Sequence, residues 1–301
     1  MPGLIISPLY EPEGRVIETL NMRTVCFTVV AMIAFAANSL LCRMALGGEV
    51  ADPASFTIVR IAAGTITLVI LVGIRDRQWQ LERPNLPAVG SLFLYMFFFS
   101  FAYLTLSAAT GALLLFGAVQ VTMFAVAIKG GERFSGLGWA GLLIAVVGLV
   151  YLIAPGVTAP DPLGAVLMAI AGIAWGAYSL VGRGAVDPLK ETASNFLYVL
   201  FPGVLTALAF MDAWSMSGTG FWLACASGAL ASGIGYAIWY AALPSLSAGR
   251  AATVQLTVPL IAAVGGVAFL AEDISARLVV ASIFTIGGVW LVLKQRQTTV
   301  R

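Results

Sequence analysis

The chain of 301 residues contains no histidine. Histidine is the side chain whose ordinary pKa falls between pH 5 and 8, and it is the commonest metal ligand. Its absence excludes Ser-His catalysis, histidine metal sites and histidine proton relays. Cysteine is nearly as scarce. Cys26, Cys42 and Cys225 all lie in apolar runs, and three thiols so placed make neither a disulfide framework nor a metal spacing. No metal or cofactor is called for. Charge is the third shortage: Asp, Glu, Lys and Arg supply 10% of the residues, against roughly 25% in a soluble domain. A net charge of +2 offers no nucleic-acid surface.

Apolar residues fill the space. They make up 60% of the chain, and the mean hydropathy is +0.98. These values describe a polytopic membrane protein. A spanning helix needs about 20 mostly apolar residues. Ten stretches qualify: 24–46, 54–74, 87–106, 108–128, 134–154, 162–182, 193–211, 219–242, 247–270 and 275–293. Asp52-Pro53, Arg83-Pro84, Gly130-Gly131, Pro160-Asp161-Pro162, Asp187-Pro188 and Pro244 separate them. Residues 1–23 carry Pro2, Pro8 and Pro12 with Glu11, Glu13 and Glu18, and lack the basic start of a signal peptide. They read as a flexible cytoplasmic tail, and Met22 is a candidate start. Residues 296–301 read as a second cytoplasmic tail.

Basic residues set the orientation. Alternating spans put Arg43 and Arg277 on one side, leave Arg60 inside the second span, and put every other Lys and Arg on the side of the N-terminus. Both termini are thus expected in the cytoplasm, with the protein in a bacterial inner membrane.

A constant offset of 140 runs through the chain. It lays Ser39-Leu40-Leu41-Cys42-Arg43 on Ser179-Leu180-Val181-Gly182-Arg183, and Ser107-Ala108 on Ser247-Ala248. It also pairs Glu132 with Glu272, Ser135 with Ser275, Gly148 with Gly288, and Phe99 with Trp239. Two copies of one unit follow, 24–155 and 162–295. Five spans per copy is an odd number, so the second copy enters the membrane inverted. The fold expected is all-α, with ten transmembrane helices in two inverted five-helix repeats. In such architectures the binding site lies near the midplane, where the halves meet.

The second copy carries Pro259, Leu270-Ala271-Glu272, Ser275 and Gly287-Gly288, which Gly131-Glu132-Arg133, Ser135 and Gly148 echo in the first. With Arg60 early in the second span, this pattern resembles the EamA-type branch of the drug/metabolite transporter superfamily. The resemblance covers 24–295 and implies a ten-helix exporter or carrier of small metabolites. Within that branch, the aromatic content is similar to that of bacterial exporters of aromatic amino acids. One departure is that Val119 stands where the second copy has Pro259.

Polar or aromatic groups at membrane depth are the candidates for substrate contact. Asn38 and Ser39 lie in the first span; Tyr178 and Ser179 are their repeat partners, with Trp175 one turn earlier. The other reading of Asn38 is an interhelical hydrogen bond, worth about 0.6 kcal/mol on average. Tyr95, Phe99 and Tyr103 recur every four residues on one face. Ser232, Tyr236 and either Trp239 or Tyr240 do the same in the eighth span. Such stripes can wall a cavity that takes an aromatic side chain, or an ammonium by cation–π attraction; they can also sit at an interface or face lipid. Phe116 and Gln120 share a face of the fourth span. Pro259 deprives the Gln255 carbonyl of its donor.

Arg60 can capture a carboxylate or snorkel outward to Glu49 or Asp52, and the structural role is preferred. Arg43 and Arg183 read as anchors or gate-side ion pairs, and Glu132 and Glu272 as helix-end caps. No acid lies mid-membrane, which favours weakly coupled or uncoupled transport. The commitment is a carrier, active as a monomer, that exports small amphipathic metabolites, foremost aromatic and apolar amino acids, by alternating access. Export of drugs or nucleosides is the alternative. A membrane-embedded lipid enzyme would need catalytic His, paired carboxylates or a metal cluster in the bilayer, and the sequence has none.

Overall fold

The computed structural model describes residues 22–77, 82–131, 134–182, 185–246 and 248–298. The N-terminal residues 1–21, Glu132, Arg183, Ser247 and residues 299–301 lie outside the described residues. Ten helical spans follow in order. They are α1 Met22–Leu46, α2 Pro53–Asp76, α3 Leu86–Ala102, α4 Ala108–Lys129, α5 Gly136–Ile153, α6 Pro162–Val181 and α7 Pro188–Ala209. Then come α8 Gly218–Ser245, α9 in two segments, Ala248–Gln255 and Val258–Leu270, and α10 Ala276–Thr298. Among the described residues, nine spans are long and apolar enough to cross a membrane, and α3 is a shorter apolar helix. The only β-pairing described is an isolated bridge between Ala51 and Met216.

The helix starts were written locally. Asp52, Asn85, Ser107, Ser135, Asp161, Asp187 and Ser217 each place a side-chain oxygen on a backbone N–H of the first turn. Ser275 does the same, accepting from Leu278 at 3.1 Å. Such caps satisfy N–H groups that a helix leaves unpaired. Pro53, Pro162 and Pro188 fill first-turn positions, where a missing N–H costs nothing. This is why α7 begins at Pro188, five residues before the apolar run suggests. Three departures from the sequence reading have physical causes. α3 stops at Ala102, where Tyr103–Thr105 turn on bonds to carbonyls three residues back. α9 breaks at Leu256–Thr257, just before Pro259, while α4 runs unbroken past Val119. In α8, residues Ser227–Ile234 form a π-helical segment, a local widening frequent at functional sites.

Outward faces are apolar too, since lipid rather than water surrounds them: Ile66, Ile70 and Ile74 of α2 are exposed. The opposite face of α2 buries Arg60, Gly64 and Leu68. Without a hydrophobic drive between helices in lipid, close packing relies on small residues. Between α5 and α10, a Cβ on Gly141 would stand 2.6 Å from the Gly288 carbonyl oxygen, and one on Gly148 would meet Thr285. Helix neighbours come in matched pairs. α1 packs on α8 as α3 packs on α6, α4 on α6 as α1 on α9, and α2 on α8 as α3 on α7; α2–α7, α4–α9 and α5–α10 also adjoin.

Candidate functional site

Five rings from four helices converge at the centre. Phe35 of α1, Trp175 of α6, and Tyr236 and Trp239 of α8 lie within 5.1–6.3 Å of one another where they touch, centroid to centroid. Tyr95 of α3 joins them through Trp175 at 4.8 Å. The four-residue spacing brings Tyr95 of α3 against Phe99 at 5.3 Å and sets Tyr103, just past the helix end, edge-on to Phe99 at 4.8 Å. All three are buried, so this face of α3 looks into the bundle rather than to lipid.

The rings divide two spaces. Trp175, Ser179, Tyr236, Trp239, Tyr240 and Gln255 line a cavity of about 410 Å³ that extends to the end of the bundle holding Gly182, Pro188 and Leu246. Beyond the rings lies a void of about 10 Å³ walled by Phe35, Asn38, Ser39, Tyr95, Phe99 and Phe116. That is room for at most one water. Trp175 and Tyr236 wall both spaces. A lateral groove of about 700 Å³ between α4, α5 and α6 is larger, but Lys129 is its one charged wall and the rest is almost wholly aliphatic, as suits lipid.

Polar groups brace the closed side. Asn38 donates from Nδ2 to the Tyr95 hydroxyl at 3.1 Å and accepts from Ser227 Oγ at 2.6 Å. Three helices meet in that chain of bonds, and Ser227 opens the π segment. Arg60 lies beside it. The arginine is fully buried, so it does not snorkel to Glu49 or Asp52. Glu49 is exposed. The Asp52 carboxylate is committed to Ala54, Ser55 and Ser215 backbone N–H groups, each at 2.9 Å. Among the described residues no group hydrogen-bonds the three guanidinium nitrogens of Arg60. Its Cζ stands 5.1 Å from the Phe99 ring centroid and 5.8 Å from that of Tyr95. A desolvated cation–π contact is worth about 2 kcal/mol. Removing the charge from water costs several kcal/mol even after relaxation. The rings therefore offset only part of that cost.

The end of the bundle opposite the cavity is tied shut. Arg43 in the last turn of α1 pairs with Glu272 at 3.2 Å and donates to the Tyr103 and Leu104 carbonyls at 3.2 and 3.1 Å. Both Glu272 oxygens accept from Ala108 N–H, at 3.1 and 2.9 Å. The cation thus sits at a helix C-terminus and the anion at a helix N-terminus, each favoured by the helix dipole.

The remaining candidates separate. Tyr103 belongs to the tie, through its carbonyl and the bond from its hydroxyl to Ala108 O at 3.4 Å. Tyr178 stacks on Trp175 at 5.6 Å and lines a small void with Thr192 and Asn195. Ser179 spends its hydroxyl on the Trp175 carbonyl at 2.8 Å. Gln120 is buried with its amide nitrogen unpartnered among the described residues. Phe35 and Ser227 were missed: Phe35 lies one turn before Asn38, and Ser227 belongs to the Ser-Gly pairs at 227–228 and 232–233.

Apolar spans thus surround a central cavity with a few convergent polar groups. The chain belongs to the EamA-like transporter family, which is matched over residues 162–294. An uncharacterized protein of Pseudomonas aeruginosa is 47% identical over 92% of this chain and 96% of its own length. An uncharacterized transporter of Archaeoglobus fulgidus is 23% identical, covering 81% of this chain and 90% of its own. A crystal structure 19% identical superposes with a TM-score of 0.66, over 91% of this chain and 98% of that one, and so shares the fold.

Proposed function

We propose that the protein exports small amphipathic metabolites, foremost aromatic and apolar amino acids, by alternating access. The observation that carries the reading is the position of Trp175 and Tyr236, which wall both the open cavity and the closed void. An aromatic side chain entering the cavity meets rings on arrival and has further rings ahead of it. The matched helix adjacencies support two five-helix halves, 24–155 and 162–295, exchanging roles across the midplane. The excess of Lys and Arg on the N-terminal side makes the open end cytoplasmic and the Arg43–Glu272 end external. That is the loading state of an exporter in a bacterial inner membrane.

No Glu or Asp of the sequence falls mid-span and His is absent, so the reading is of an uncoupled or weakly coupled carrier rather than an enzyme; two halves that enclose one site fit a monomer. Cells overproducing the chain, preloaded with labelled phenylalanine, test it. Faster efflux than from control cells is expected, and equal efflux contradicts it. Drugs and nucleosides are the substrate classes to screen in that case.

A further inference from the structure

We infer that Arg60 is the group that selects the substrate's charge: the aromatic pocket takes ligands carrying a carboxylate and rejects cations. The inference deepens the function proposed above and rests on it. Left to itself, a box of aromatic rings attracts an ammonium group, because each ring face is electron-rich. Here a permanent cation already lies against Phe99 and Tyr95, two walls of the closed void. It is fully buried, and its nitrogens have no hydrogen-bond partner among the described residues. Asp52 is spent on backbone amides, and no other acid of the sequence falls within the middle of a span.

A buried charge persists when it is paired, and intramembrane arginines find counter-charges or line substrate paths. Among the described residues nothing supplies such a counter-charge, so it comes with the ligand. In a low-dielectric pocket the field of that charge carries past the rings. It draws a carboxylate toward Phe99 and repels an ammonium toward the Trp175 and Tyr236 side. There Gln255 lines the same cavity system. A zwitterion then has one orientation. The packing agrees with a fixed role: a Cβ on Gly228 of the π segment would collide with the Arg60 backbone, so α8 presses directly on the turn of α2 that aims this side chain.

The test is thermal stability of the detergent-purified full chain with phenylalanine, 3-phenylpropionate or phenethylamine, three probes that differ in which charge they carry. Wild type is expected to be stabilised by the two carboxylates and not by the amine. Arg60→Gln is expected to weaken half-saturation by the carboxylates at least tenfold, and Arg60→Lys to keep a weaker response. Arg60→Met is expected to raise the ligand-free Tm, since it removes an uncompensated buried charge; a purely structural arginine would lower it. The inference is overturned if phenethylamine stabilises wild type as well as phenylpropionate does. It is equally overturned if Arg60→Gln responds like wild type, or if neither carboxylate shifts the wild-type Tm. The ligand series on wild type decides the matter even if a variant fails to fold. A phenylpropionate response with no phenylalanine efflux would leave the charge selection standing and remove the amino-acid reading.

Discussion

Arg43 and Glu272, 229 residues apart in sequence, meet at 3.2 Å across the closed end of the bundle. The pair is more than an exchangeable ion pair, because each partner also holds backbone. Arg43 binds carbonyls of the α3–α4 turn, and Glu272 binds the first N–H of α4. Glu272→Gln is expected to loosen this end and speed labelling of the buried Cys42 by a thiol reagent, read by mass spectrometry. The swap Arg43→Glu with Glu272→Arg is expected not to restore slow labelling, since carbonyls would then face a carboxylate and an N–H a guanidinium. Full restoration by the swap would reduce the contact to a simple charge pair.

Gly288 has no room for a methyl group. A Cβ there would stand 2.5 Å from the Gly141 carbonyl oxygen and 2.5 Å from Ala145 N. Backbone atoms cannot swing aside, so Gly288→Ala forces α5 and α10 apart. Overpacking of this kind costs about 1–3 kcal/mol. The expected result is a clear drop in Tm; an unchanged Tm would mean that the two helices pack less closely than described.

Asn38 serves two hydroxyl groups at once. Asn38→Ala removes both bonds and leaves Tyr95 and Ser227 buried, whereas Ser227→Ala removes one. Interhelical hydrogen bonds in membranes average about 0.6 kcal/mol, so a loss of about 1–2 kcal/mol is expected for Asn38→Ala and roughly half for Ser227→Ala. Unfolding in a denaturing detergent series would measure both, and equal losses would contradict a shared network.

Asp187 caps α7 and accepts from Arg75 at the opposite end of the molecule. The hydrogen bond from Arg75 holds its carboxyl below the ordinary carboxylate range, against a smaller opposing effect of burial. A carboxyl depressed on folding stabilises the fold above its ordinary pKa, near 4, and that contribution fades as pH falls through the lower folded value. The group is partly exposed, so the ion-pair part is about 1 kcal/mol or less. Asp187→Asn is expected to lower Tm at pH 6 and to shrink its fall between pH 5 and pH 3. A Tm difference that does not narrow on acidification would contradict the assignment.

Much of this molecule was legible because its signals are local. Ser135 and Ser275 mark the starts of α5 and α10 at matching repeat positions. Pro259 marks the break in α9, and the four-residue spacing of Tyr95, Phe99 and Tyr103 marks a buried stripe. What escaped depends on contacts between distant segments. Ser227 looks like any small residue in an apolar run until α8 is laid against Asn38. The hold of Glu272 on Ala108 spans 164 residues. Arg60 was harder still: two turns from a helix end, a long cation can still reach toward water. Its fate was set by Phe99, Tyr95 and the committed Asp52, which only the fold brings alongside it.

Counterflow in liposomes that contain only this protein tests the central claim most directly. Vesicles loaded with unlabelled phenylalanine are diluted into trace labelled phenylalanine or tryptophan, with and without an imposed pH gradient. Transient accumulation of label without a gradient is the expected result, and Trp175→Ala is expected to reduce it at least tenfold. No accumulation under either condition would contradict an aromatic amino-acid carrier, and accumulation only with the gradient would contradict uncoupled transport.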